Sequence, residues 1–115
     1  MGVNFFVPFM EKGVKGVNIL TIKSLLSTYK GGRVYIYLAT VEIAEQFMQD
    51  AEKERFTFGD GVKPTQRDIS DIIAINDNMT INYVGFIGHI AFQAAKKVGD
   101  KPLIKIDYRD ILNQK

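Results

Sequence analysis

The stretch RVYIYLATVEIAEQFMQDAEKE, residues 33–54, changes its apolar period halfway along. Over Arg33–Ala39 the alternation is two-fold: Val34, Ile36 and Leu38 point one way, Tyr35 and Tyr37 the other, as in a strand. From Thr40 onward the period becomes helical. Val41, Ala44, Phe47, Met48 and Ala51 form the stripe predicted to be buried, Glu42, Glu45, Gln46, Gln49 and Glu52 turn outward, and Thr40 is a good N-cap. A strand running directly into an amphipathic helix implies a sheet with helices packed against it.

Working outward, Ile19, Ile22, Leu26 and Tyr29 predict an earlier helix over Asn18–Lys30, capped by Asn18 and ended by Gly31-Gly32. Downstream, Arg55–Phe58 reads as a short strand entering the Gly59-Asp60-Gly61 turn. Val62–Ser70 is the longest loop candidate. Asp71–Ile75 and Thr80–Val84 form a hairpin around Asn76-Asp77-Asn78. Gly85–Val98 is ambiguous. Phe86, Ile90 and Ala94 fit a helix, with Lys96-Lys97 before Gly99 as its end, yet Phe86-Gly88-Ile90-Phe92 alternates like a strand; helix is favoured for the Ala-rich second half. Leu103–Tyr108 is a strand, and Tyr108–Leu112 adds a helical turn. The expected fold is therefore α+β: a mostly antiparallel sheet of four to five strands, with two to three helices on one side and a ferredoxin-like topology as one candidate.

The chain has 115 residues, of which 46% are hydrophobic and 24% charged. That suits one domain over residues 1–115, with residues 1–17 as an apolar N-terminal arm, and it is long enough to bury a core. With no cysteine, disulfides, zinc-thiolate sites and thiol nucleophiles are excluded. The VNFFVPFM run at 3–10 lacks the flanks of a secretory signal, and no stretch nears the roughly 20 apolar residues of a membrane span. A cytoplasmic protein that does not enter the membrane is the expectation. Phe5, Phe6 and Phe9 are too apolar to face water, so they pack on the domain itself or support a homodimer.

Net charge is +2, but it is unevenly spread: +4 over residues 1–40, −4 over 41–60, −1 over 61–80 and +3 over 81–115. The acidic middle reads first as a solvated helix face, and second as a surface for a basic partner.

No complete catalytic set emerges. His89, the only histidine, lies between Gly88 and Ile90 with no nucleophile or orienting carboxylate in a motif around it. Asp60 with Lys63 suggests a metal or phosphate loop, but the glycines do not follow the phosphate-loop pattern. A metal-dependent hydrolase would need Asp60, Asp68, Asp71 and His89 to converge. Asp77 between Asn76 and Asn78 lacks the glycine and distal glutamate of a calcium loop. Arg33, Tyr35 and Tyr37 share a strand face that could stack single-stranded nucleic acid, although no RNA-recognition signature is present. The expectation is a non-catalytic protein-interaction module without cofactor or metal, its partner contacts at Asp60, Lys63 and Arg67. Nucleic-acid binding and hydrolysis are the alternatives.

Two stretches, FTFGDGVKPT (56–65) and TINYVG (80–85), together resemble uncharacterised small proteins carried by phages and mobile elements of Gram-positive bacteria. The resemblance spans residues 33–92. It implies a protein that occupies a surface of a host factor, such as a defence nuclease, and so acts as an inhibitor or regulator. It carries over no catalytic residue.

Overall fold

The computed structural model describes residues 20–114. Four helices, α1 (Ile22–Thr28), α2 (Val41–Lys53), α3 (Gly85–Ala94) and α4 (Tyr108–Asn113), accompany six strands. The strands are β1 (Arg33–Tyr37), β2 (Thr57–Phe58), β3 (Ile72–Ile75), β4 (Thr80–Tyr83), β5 (Lys97–Val98) and β6 (Lys101–Asp107), joined in one sheet in the order β2-β4-β3-β1-β6-β5. The α+β class is as expected, but the sheet is wider and more mixed. β1 runs parallel to β6 and β2 parallel to β4, while β1–β3, β3–β4 and β5–β6 are antiparallel. In a ferredoxin-like sheet the first long strand lies between the third and the fourth. Here β1 lies between the second, β3, and the fourth, β6. Both outer strands, β2 and β5, are two residues long, which limits edge-to-edge pairing.

The helices occupy both faces, not one. On one side Val34 and Ile36 of β1, with Ile73, Ile75, Ile81 and Ile106, pack against α1, α2 and α4 through Leu25, Phe47, Met48 and Ile111. On the other, Tyr35, Ile72, Ala74 and Leu103 meet Ala91 and Phe92 of α3 and Ala95 just after it. The strict two-fold alternation of β1 and β3 feeds these two cores from the same strands.

Local signals explain the helix boundaries. Thr40 caps α2 by accepting from the Ile43 amide at 3.1 Å. Thr21 caps α1 in a reciprocal box with Ser24; the Asn18 cap expected from sequence lies outside the described residues. Phe5, Phe6 and Phe9 lie outside them too. β1 ends at Tyr37, before the predicted Ala39. The predicted helix over the second half of 85–98 instead begins at Gly85 and ends at Ala94, and Lys97-Val98 becomes β5. Gly85 has φ +69°, a conformation that glycine adopts at little cost, so the chain passes from β4 into α3 within two residues.

The predicted buried stripe of α2 needs one exchange. Val41, in the first turn, is 57% exposed, whereas Asp50 is 8% exposed. Asp50 is tolerated inside because its carboxylate accepts from the Tyr108 hydroxyl at 2.6 Å and from Gln46 Nε2 at 2.9 Å. Burial and the adjacent carboxylate drive the Tyr108 pKa far upward, so this phenol remains a donor. Its ring also meets Phe47 edge-on at 5.2 Å, tying α4 to α2. Tyr108→Phe is expected to cost about 1–3 kcal/mol by removing a buried donor from Asp50. Urea denaturation of the variant beside the wild type measures this directly.

Candidate interaction surface

The acidic segment 41–60 does not form a single acidic face. Glu54 crosses to α1, its carboxylate accepting from the Ile22 and Lys23 amides at 3.1 and 2.8 Å, so that it holds negative charge at that helix N-terminus. Glu52 accepts from the Thr65 hydroxyl at 2.6 Å and the Thr65 amide at 3.2 Å, contacts that hold its pKa below the usual carboxylate range. Asp50 is buried, and Asp60 is ion-paired with Arg67. Glu42 and Glu45 remain on the exposed side of α2. Most of the −4 charge is therefore committed to bracing the fold.

The loop expected to carry partner contacts is internally organised. The Asp60 carboxylate accepts from the Val62 amide at 3.3 Å as well as from Arg67, and these contacts, Arg67 first, lower its pKa. The Arg67 guanidinium also lies 4.8 Å from the centre of the Phe58 ring. Lys63 is exposed and opens the short 3-10 turn at Pro64–Gln66. Asp60 and Arg67 are thus brought together, while Lys63 stands apart from their pair. Beside them, Glu45, Met48, Gln49, Thr65, Arg67, Asp68 and Ile69 line an open groove of about 520 Å³.

The expected aromatic platform is covered. Tyr35 is buried beneath α3, and Tyr37 is half-buried with its ring centre 6.0 Å from that of Phe92. Arg33 turns along the sheet, donating to Asn76 Oδ1 at 2.6 Å and to the Ile75 carbonyl at 3.3 Å. The same face holds a residue that sequence reading missed: Lys105 is 1% exposed, with its ammonium 5.4 Å from the Phe92 ring centre. Burial lowers its pKa. The two-fold alternation of β6 places Lys105 alongside Leu103, but a lysine in such a run is normally read as outward-facing.

The carboxylates proposed for metal chemistry go to separate places. Asp71 meets His89, Asp60 meets Arg67, and Asp68 contributes its backbone carbonyl to the Tyr83 hydroxyl at 2.6 Å. Among the described residues no three His, Asp or Glu side chains gather as a metal site.

What remains open is the outer side of α3. Phe86 is 78% exposed, Ile87 73% and Ile90 48%. Gln93 and Ala94 continue this exposed stripe toward the C-terminal end. The inner side is close-packed: a Cβ on Gly88 would come within 2.3 Å of Val84 Cβ. Tyr83, two residues before α3, is 40% exposed but belongs to the other face of the sheet, opposite Ile73 and with its ring centre 5.2 Å from that of Phe58. The sequence displayed the signal, an apolar residue at nearly every position of 84–92, but two-sided apolarity also suits a fully buried element.

His89 clips α3 to the rim of the sheet. Its Nδ1 is 2.7 Å from the Gly85 carbonyl and its Nε2 is 2.6 Å from Asp71 Oδ1. Both partners are acceptors, and a neutral imidazole has one N–H, so only the imidazolium satisfies both. The Gly85 carbonyl, followed by Asp71, raises the His89 pKa above 6.5. Partial burial pushes the Asp71 carboxyl upward, but the hydrogen bond and charge of His89 outweigh this and hold it below 3.8. The clip's contribution from His89 is therefore complete below pH 6.5 and disappears as pH rises through the elevated value. Asp71's contribution is lost at the acid end, as pH falls through its lowered value. An NMR titration should place the His89 pKa above 6.5 and return it toward that value in Asp71→Asn. In His89→Gln, the change of melting temperature over about pH 6 to 8 should flatten.

No protein-family model, curated protein or solved structure matches this chain, so its surface is interpreted from its own chemistry.

Proposed function

We propose that this protein is a non-catalytic interaction module that recognises another protein through the outer face of α3. The observation that carries the reading is the exposure of Phe86, Ile87 and Ile90 side by side on one helix. Exposed apolar side chains scattered singly are ordinary, but a contiguous set on a regular element marks a contact surface. Helix α3 is held to the sheet by Ala91, Phe92 and Ala95, so the outer side chains are presented on a supported element. Such a surface suits an apolar groove or helix on the partner.

Two further features agree with a binding role. The Asp60 and Arg67 side chains pair with each other, and His89 pairs with Asp71, so these groups serve as structural contacts. The Tyr35 and Tyr37 rings lie against α3, so base stacking on them would require that helix to leave. The resemblance of residues 33–92 to small phage and mobile-element proteins makes a host factor the natural partner, with inhibition or regulation as the outcome.

Affinity capture with the full chain tests the reading. Phe86→Ser/Ile87→Ser should lose the captured partner while circular dichroism and the melting temperature stay close to wild type. Asp60→Ala/Lys63→Ala/Arg67→Ala should retain it, as read from the amount captured at equal loading. Loss with the loop variant and retention with the α3 variant would move the interface to the loop and refute the assignment to α3.

A further inference from the structure

We propose that one end of the sheet holds a binding site for a small hydroxylated molecule carrying a phosphate group, such as a sugar phosphate. The start of β1, the start of β6 and the β3–β4 turn meet α1 there and surround a cavity of about 420 Å³. Small-molecule sites span roughly 300–1,000 Å³, so the volume suits a ligand of that size. No residue of α3 lines the cavity, which makes this site separate from the contact surface on that helix.

Arg33 is the fixed cation of the site. Its Nη1 donates to Asn76 Oδ1 at 2.6 Å and to the Ile75 carbonyl at 3.3 Å, and its guanidinium carbon lies 5.7 Å from the Tyr35 ring centre. Asn76 is held in turn. Its Nδ2 donates to Asn82 Oδ1 at 2.9 Å, to the Thr80 hydroxyl at 3.1 Å and to the Thr80 carbonyl at 3.2 Å. Among the described residues, Nε and Nη2 of Arg33 have no hydrogen-bond partner. One edge of the planar guanidinium is therefore free to donate to two oxygens of a single anion. A side chain already oriented by the fold loses little freedom on binding.

Charge selects the ligand. Lys101 lines the same cavity, is exposed, and has no ion pair among the described residues. Two cations match a phosphate monoester, which carries nearly two negative charges at neutral pH, better than a carboxylate with one. Asp77 also lines the cavity, exposed and likewise without an ion pair among the described residues. Its carboxylate repels a bare phosphate but accepts hydrogen bonds from ligand hydroxyls. The phosphate thus belongs toward Arg33 and Lys101, and the hydroxyls toward Asp77. Leu26 and Ile75 contribute the apolar part of the wall.

Titration of the full chain followed by amide NMR tests this. Ribose phosphate should bind saturably at millimolar concentration or below, shifting the amides of Arg33, Asn76, Asp77 and Lys101, whereas ribose should not bind. Lys101→Gln should weaken binding about ten-fold, and Arg33→Gln should weaken it at least as much. Arg33 also braces Asn76, so its variant is read beside its melting temperature. Lys101 braces nothing among the described residues, and its variant decides the matter if Arg33→Gln unfolds. Asp77→Asn should bind inorganic phosphate more tightly and narrow the advantage of ribose phosphate over it. No saturable binding, or binding unchanged in Lys101→Gln, overturns the proposal. Inorganic phosphate or gluconate binding as tightly as ribose phosphate overturns the choice of ligand class. Capture of a partner through Phe86 and Ile87 is independent of each of these results.

Discussion

Strand β1 is hydrogen-bonded along both edges, to β3 and to β6, and has apolar side chains on both faces. Val34 and Ile36 need one hydrophobic layer, and Tyr35 needs another. A single layer of helices cannot serve both, so the fold has α1, α2 and α4 on one side and α3 on the other. The remaining architecture answers that constraint. β3 repeats the two-sided pattern with Ile73 and Ile75 opposite Ile72 and Ala74, and β6 supplies Ile106 to one layer and Leu103 to the other.

The two layers are unequal. Three helices share the first, and polar braces reinforce it: Asp50 links α2 to α4, and Glu54 links the end of α2 to the start of α1. Helix α3 covers the second layer alone. It is short, its N-terminus lacks a side-chain cap, and the His89–Asp71 contact fastens it at the rim. This helix also presents three large apolar side chains, Phe86, Ile87 and Ile90, to solvent. Among the described residues, the outer face of this helix is the one left uncovered.

The charge pattern has a structural explanation that changes its functional meaning. An acidic block in sequence suggests attraction to a basic partner, but a carboxylate that accepts backbone and hydroxyl hydrogen bonds is serving the fold. Glu52, Glu54 and Asp60 each do so, at Thr65, at the α1 N-terminus and at Val62 with Arg67. Their density in one segment reflects how many neighbouring elements converge around the end of α2.

The sequence alone determined the features that depend on local periodicity and on local turn chemistry. The period change at Thr40 located β1 and α2 because side-chain alternation and helical spacing are properties of the backbone geometry itself. Asn76-Asp77-Asn78 located the β3–β4 hairpin for a similar reason. Only the tertiary structure decided which long-range groups meet. Asp50 finds Tyr108 at a separation of 58 residues, Asp71 finds His89 at 18, and β1 takes β6 as its parallel neighbour across most of the chain. The same limit applies to the exposed face of α3. Residues 84–92 announce an apolar helix or strand, but which half of it is buried depends on where Tyr35, Ile72, Ala74 and Leu103 come together. Sequence spacing records the order of residues along one element; exposure is set by the partners that other elements bring to it.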